Sequence, residues 1–451
     1  MFNCRSNNVK KPFELDFGEL EVKAGAKVLD HYKDQTLSVI TYKDTGKYHT
    51  PNLASFAGGY SAPNFYNGLY DMNNMPDPGL VRAYLASPHY INNVVNPGNR
   101  FLADTSSNHL SSDPETFSAR DFNGAGYGMA TLKTGPLTVK AGVRIEYTSM
   151  HYSGFGDSVN TSNNWTKTFT VDMYKNFFFP LPMVLAKYSP DKDMNIRASY
   201  TRSFSRPEWY DLVPHIVYNV DDNVRTAIEG NPNLRPTTSD NLDLSWEYYF
   251  NHKKGVLYAG TFFKQMHDYI FASELDTFFN QSKSTWAFYT KSNGGTANLA
   301  GLELESESQF FFLPSFLSGF GVSGNYIYTW SKTLIPELNE WTSLPGQSEH
   351  VGNAALFYEM YGFSGRVALN YQSHCIVQLI NSRSHFGSIY VDDHLQLDCS
   401  ASQKISKNVT AVVEFKNLTN APKKLYLLNP QHTTQMEYYG WSALCGVRLS
   451  F

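Results

Sequence analysis

No stretch of the chain approaches the roughly 18 uninterrupted apolar residues that a membrane helix needs. The nearest, residues 177–186, opens with Phe177-Phe178-Phe179 but is broken by Pro180 and Pro182. Charge is scarce as well: Asp, Glu, Lys and Arg make up 17% of the chain, against roughly 25% in typical soluble domains. The 37 basic and 41 acidic residues leave a net charge of −4, with no block of Lys or Arg, which argues against nucleic acid as a partner. The four cysteines, Cys4, Cys375, Cys399 and Cys445, show neither metal spacing nor an even ladder. They read as unpaired small hydrophobes, with Cys375 and Cys399 on adjacent strands but out of register. Gly-x-Ser-x-Gly, the P-loop pattern and His-Glu-x-x-His are all absent, and the 13 histidines are scattered. No catalytic residue, metal ligand set or cofactor is therefore expected. Met1-Phe2-Asn3-Cys4-Arg5-Ser6 also lacks the charged and apolar regions of a signal peptide.

Aromatic residues are abundant at 15%, with 30 Tyr and 31 Phe, yet mean hydropathy is only −0.37. That combination arises when apolar and polar residues alternate. In residues 137–147, Leu137, Val139, Val143, Ile145 and Tyr147 alternate with Thr138, Lys140, Arg144 and Glu146. Residues 194–200 and 241–250 repeat the pattern, as do 20–28, 301–309, 365–371, 395–401, 409–415 and 439–451. A period of two means strands with one greasy and one wet face. Short turns such as 133–136, 189–193, 251–255, 360–362 and 406–408 alternate with long connections at about 33–113, 206–240 and 332–346. About fourteen strands fit this scheme. Short turns on one rim and long loops on the other are the asymmetry of an outer-membrane barrel. Soluble sandwiches and propellers are the competing architectures. Sandwich strands average only about 5–6 residues, and a propeller should repeat every 40–50 or so; neither pattern is present. The fold expected is all-β, an antiparallel transmembrane β-barrel spanning residues 1–451.

Alternation also assigns the faces. Arg144, Glu146, Arg197, Asp243, Glu247, Glu303 and Glu305 should face the lumen, either as a hydrated wall or as a solute path. Ile196, Ala198, Tyr200, Leu242, Leu244, Trp246 and Tyr248 should face lipid. In the long loops, Trp209, Tyr210, Tyr218, Arg235 and Trp341 are the candidates for ligand contact, with loop-on-loop packing as the alternative role.

One succession of segments is recognisable. Arg197-Ala198-Ser199-Tyr200-Thr201-Arg202-Ser203-Phe204-Ser205-Arg206-Pro207 is followed by Gly230-Asn231-Pro232-Asn233-Leu234-Arg235-Pro236-Thr237 and then by the strand at 241–250. Asn293-Gly294-Gly295 before Gly301-Leu302-Glu303, Leu344-Pro345-Gly346-Gln347, Lys416-Asn417-Leu418-Thr419-Asn420 and the terminal Phe451 continue it. From about residue 115 onward the chain resembles the barrel of TonB-dependent outer-membrane receptors. The resemblance implies a receptor in the outer membrane of a Gram-negative bacterium. It implies active uptake of a large scarce solute such as a siderophore, haem, vitamin or oligosaccharide. It also implies three partners: outer-membrane lipid, the TonB complex, and the barrel-assembly machinery reading Phe451. A passive porin-like channel is the second reading and a barrel hydrolase the third. The family carries a signal peptide, a TonB box, a plug domain and about 22 strands. With no such start and no plug-like segment, the expectation is a truncated gene model or fragment, the C-terminal two-thirds of a barrel. An even strand count should then end at the C-terminus. The first strand, at about 20–33, should be left without a matched partner, so that the sheet stays open or closes badly on 439–451.

Overall fold

A computed structural model describes residues 2–44, 53–65, 70–85, 101–159, 165–213, 215–220, 225–250, 254–278, 285–335, 340–379 and 388–450. One antiparallel wall dominates. Its strands, in chain order, are β1 (Phe2–Leu15), β2 (Gly18–Gln35), β3 (Phe117–Thr134), β4 (Leu137–Val159), β5 (Trp165–Tyr188), β6 (Met194–Ser205), β7 (Thr237–Phe250) and β8 (Gly255–His267). They continue through β9 (Thr296–Gln309), β10 (Phe320–Ile335), β11 (His350–Met360), β12 (Phe363–Gln372), β13 (His394–Lys404), β14 (Val409–Lys416) and β15 (Ser442–Leu449). Each strand pairs with its chain neighbours, so the wall is an uncrossed meander. Among the described residues no helix is long and apolar enough to cross a membrane.

The registers sort the side chains as alternation requires. Across β6 and β7, Ile196 stands opposite Trp246, Ala198 opposite Leu244 and Tyr200 opposite Leu242, while Arg197 meets Ser245 and Ser199 meets Asp243. Following the pairs from β4 to β9 puts Arg144, Glu146, Arg197, Asp243, Glu247, Glu303 and Glu305 on one face. The opposite face is apolar: Leu242 and Leu244 are each 51% exposed, a burden that hydrocarbon relieves and water does not. The long loop after β6 folds onto the polar face, which is therefore the inner one. There Leu212, Val213 and Leu234 pack with Phe117, Ala119, Met150, Tyr152 and Met173.

The rims differ as the sequence implies. Gly135 (φ +52°) and Gly362 (φ +76°) close tight turns between β3 and β4 and between β11 and β12, in a backbone region that a side chain would strain. On the other rim, connections at 36–116, 206–236, 268–295, 336–349, 373–393 and 417–441 are long. These loops carry sheets of their own. Ile216–Val220, Arg225–Glu229, Thr285–Asn293 and Ile270–Phe278 form one four-stranded sheet, and its pairing of Arg225–Glu229 with Thr285–Asn293 is parallel. Cys375–Gln378, Ile389–Val391, Lys423–Leu427 and Thr433–Glu437 form another.

Four expectations need correction. Among the described residues the path of the wall has fifteen strands, with Glu340–Thr342 pairing on β10 off that path, because Phe2–Leu15 precedes the strand expected as first and pairs with it. Alternation hid β1, since its outward side carries Arg5, Asn7 and Lys11 beside Val9 and Phe13. The last strand starts at Ser442, leaving Tyr439 outside it. Cys375 belongs to the second loop sheet, whereas Cys399 lies in β13 opposite Val367 and Phe415; all four cysteines are free. Among the described residues β1 pairs only with β2 and β15 only with β14, so the wall is an open path. Fifteen being odd, β1 and β15 both run from the long-loop rim to the short-turn rim. Pairing them directly would make the one parallel contact in an antiparallel wall.

Leu244→Arg should cost about 2–4 kcal/mol of refolding stability in lipid, the depth-dependent penalty at a bilayer midplane. Arginine at the inward neighbour Ser245 should cost far less, and equal losses at both positions in a urea titration would contradict the face assignment.

Candidate functional site

The inner wall pairs Glu146 and Glu247 with arginines and gives Asp243 and Glu303 hydroxyl donors. Arg197 Nε donates to Glu247 Oε1 at 2.7 Å and its Nη2 to Oε2 at 3.1 Å, while Asn195 and Tyr249 add donors to the same carboxylate. Asp243 accepts from Ser199 at 3.0 Å, and Glu303 accepts from Tyr258 at 3.1 Å. Glu305 stands opposite Tyr258 and Asn325 on the same face. Glu146 takes Arg144 at 2.9 Å from its own strand and Arg206 at 2.6 Å from the loop after β6. Arg206 also donates to Asn123 and to the fully buried Thr148. One guanidinium thus ties the start of a long loop to β3 and β4. Such charge-assisted, multi-partner bonds are the strong class. The sequence contained no sign of this: Arg206 and Glu146 are 60 residues apart, and nothing local announces that they meet.

The segment Gly230 to Thr237 explains itself in the structure. Gly230 donates its N–H to the His215 carbonyl at 3.0 Å, and a Cβ there would lie 1.6 Å from the Val213 carbonyl oxygen, so only glycine fits. Asn231 N–H reaches the Asp211 carbonyl and its Nδ2 reaches the Lys291 carbonyl. Leu234 is fully buried. The Arg235 N–H donates to Asn293 Oδ1, Asn293 Nδ2 donates back to the Arg235 and Asp268 carbonyls, and the Arg235 guanidinium pairs with Asp268. The motif is a staple that fastens the loop after β6 to the loop after β8.

The loop candidates fall into two groups. Trp209 and Tyr210 sit in the short helical turn Trp209–Leu212 and pack against the buried cluster. The Trp209 ring lies 4.8 Å from His31, and the Tyr210 ring 3.9 Å from His215. Tyr218 belongs to the strand Ile216–Val220, in register with Ala227. Arg235 and Trp341 are exposed at the rim; Trp341 lies on the strand Glu340–Thr342, with Lys332 Nζ 4.9 Å from its ring centroid. No contact joins Trp341 to Arg235 or to the Trp209 turn among the described residues. A separate cavity of about 650 Å³ opens beside the second loop sheet and is lined by Gln372, Cys375, His394, Lys423, Lys424 and Tyr439. Its walls come from five separate segments, which leave no local signal in the sequence. Among the described residues no cluster of three or more His, Cys, Asp or Glu could hold a metal ion.

Burial governs protonation under the Trp209 turn. His215 is 1% exposed, neither ring nitrogen has a protein hydrogen-bond partner, and desolvation pushes its pKa below the ordinary imidazole value. Burial likewise pushes the Tyr210 phenol and the Asp211 carboxyl up.

The comparisons with known proteins fit this architecture. A family model described as TonB dependent receptor-like, beta-barrel matches residues 83–418. The chain belongs to the TonB-dependent receptor barrel family. Among solved structures, the ferric-catecholate import receptor Fiu of E. coli K12 is 13% identical, with a TM-score of 0.62 over 100% of this chain and 54% of that one. The copper transporter OprC is 14% identical, with a TM-score of 0.58 over 100% and 57%. The ferric yersiniabactin uptake receptor FyuA of Yersinia pestis is 14% identical, with a TM-score of 0.53 over 100% and 54%. At these identities the likeness is one of fold. The chain spans somewhat more than half the length of each of these solved chains. No curated protein matches it.

Replacing Arg206 with Met leaves Glu146 with one cation and Thr148 without its charged partner. It should loosen residues 206–236 by about 1.5–3 kcal/mol, the scale of hydrogen bonds to charged groups, read as faster amide exchange there. His215 has a lowered pKa in the packed loop, so packing is favoured above the ordinary imidazole pKa and weakens as pH falls below it. Exchange in 206–236 should therefore accelerate between pH 7 and pH 5, and His215→Leu should abolish that dependence.

Proposed function

We propose that this chain supplies the barrel of an outer-membrane receptor that takes up a large, scarce solute actively. In this reading the long-loop rim is extracellular and the short-turn rim periplasmic. The observation that carries it is the loop rim itself. Its loops are stapled to one another and to the inner wall by Arg206, Arg235 and Asn293, above a polar wall backed by an apolar outer face. A bare pore has no need of such a built surface. The structurally similar proteins are a ferric-catecholate import receptor, a copper transporter and a ferric yersiniabactin uptake receptor, so a metal chelate is the solute class proposed. Lipid on the apolar face, the TonB complex in the intact protein and the assembly machinery at Phe451 are the partners this reading calls for. Arg144, Glu146, Arg197, Asp243, Glu247, Glu303 and Glu305 line the path. Trp209, Tyr210, Tyr218, Arg235 and Trp341 are the proposed contacts at the mouth, the rings serving as rigid surfaces for planar groups.

The test is uptake of a radiolabelled ferric chelate by receptor-deficient Gram-negative cells expressing the protein from its full reading frame. Active import predicts accumulation that stops on adding a protonophore, whereas accumulation indifferent to the protonophore refutes it. At the mouth, Trp341→Ala should weaken chelate binding roughly two- to tenfold, the worth of one aromatic contact. Trp209→Ala should weaken it with a loss of loop order as well, because that ring also packs against the core; unchanged affinity in both variants removes these residues from the site.

A further inference from the structure

Strands β4 and β5 run far beyond the apolar band. On the outward side of β4 that band is Val143, Ile145 and Tyr147, each more than two-fifths exposed. After it come Ser149, His151 and Ser153, and the ladder continues to Val159 opposite Trp165. At about 3.3 Å per residue, Asp157 stands roughly 33 Å past Tyr147, clear of any bilayer. Against this two-stranded arm lies the helix Thr105–Ser112 from the loop between β2 and β3.

The contact between them is short of protons. Ser106 Oγ accepts from the Trp165 N–H, and the Trp165 ring stacks on His109 at 4.0 Å. The Thr168 hydroxyl lies 2.6 Å from Asp113 Oδ2, just past the helix, and 2.9 Å from Asp157 Oδ1 on β4. That hydroxyl has one proton to give to two carboxylates. Trp165 Nε1 supplies one further donor to Asp157 Oδ1, at 3.1 Å. Asp157 is only 4% exposed, and its Oδ2 is sealed from solvent with no hydrogen-bond donor. Two anions cannot share so dry a place without a proton between them.

We propose that the helix Thr105–Ser112 is a proton-dependent latch, docked on the arm while Asp157 carries a proton beside the Asp113 carboxylate and released when that proton leaves. Among the described residues, the groups facing Asp157 are few. Asp113 and His109 come from the helix segment, and β5 offers only Thr168 and Trp165, since Lys167 alternates to the other side. The nearby strand Ile216–Val220 carries Tyr218 as its one titratable residue. The His109–Asp113 pair, at 2.9 Å, lies within one segment and survives undocking; among the described residues, the pairing of Asp113 with Asp157 is the acid–acid contact that spans the two parts. Burial, and then the neighbouring Asp113 carboxylate, push the Asp157 carboxyl above its ordinary value. An acid whose pKa is raised in the docked state favours docking at low pH and ceases to as pH climbs through the raised value. The latch thus has the opposite sign to the His215 loop.

Hydrogen exchange of the whole chain in detergent micelles, resolved by peptide and corrected for intrinsic rates, tests this between pH 5 and pH 8. Protection of 105–112 should fall as pH rises, by at most about tenfold per pH unit, the ceiling for one proton. Asp157→Asn, which has the shape of the protonated acid, should stay protected and lose the dependence. Asp113→Asn should also lose it, and it serves if the first variant does not fold. Protection that is flat with pH in the native chain, or a dependence that persists in both variants, overturns the latch.

Discussion

The wall of this structure answers to one constraint: a backbone amide placed in hydrocarbon must find its partner within the protein, at a cost of several kcal/mol if it does not. A meander of paired antiparallel strands meets that demand with no helix, and it does so using residues that are only intermittently apolar. The pairing imposes period two, so each strand faces lipid with residues such as Leu242 and Leu244 and the interior with Asp243 and Ser245. The polar inner wall is thus a by-product of the same geometry that makes the outer face greasy. Its charges then need neighbours, which accounts for the Arg197–Glu247 fork and for Arg206 reaching down to Glu146.

The rim follows a different physics. Above the apolar band, water satisfies backbone groups, and the loops are free to be irregular. They are nevertheless ordered by a few long-range ties: the Gly230 to Thr237 staple, the two small sheets and the helix Thr105–Ser112 on its arm. Two of these places hold a buried titratable group, His215 under the loop after β6 and Asp157 beside the helix, and there the rim is sensitive to protonation. His215 and Asp157 respond in opposite directions because one is a base and the other an acid, each buried where its charged form is disfavoured. A receptor built on these loops could present different surfaces at different pH without any change in its wall.

Period two is a local property, visible in five or six residues, and it was enough to predict an all-β barrel, its two faces and its uneven rims. The β6–β7 hairpin pairs in the register that alternation implies. Where the pattern is impure, as in Phe2–Leu15, the strand escaped notice, because only the partner strand shows that Arg5 and Lys11 share an outward face with Val9 and Phe13. The resemblance to TonB-dependent receptors was likewise readable, since it rests on contiguous segments. What those segments do was not, as Gly230 is needed only because the Val213 carbonyl comes from another part of the loop to meet it.

Sequence alone therefore determined the class of fold, the sidedness of each strand and the family, all of which follow from order along the chain. Tertiary structure decided the fifteen-strand count and with it the like direction of β1 and β15. It also decided that Trp209 and Tyr210 pack inward while Trp341 stands exposed, and that Asp113 meets Asp157. These depend on which distant residues come together, and a pairwise contact across 44 or 60 residues leaves no periodic trace in the sequence that makes it.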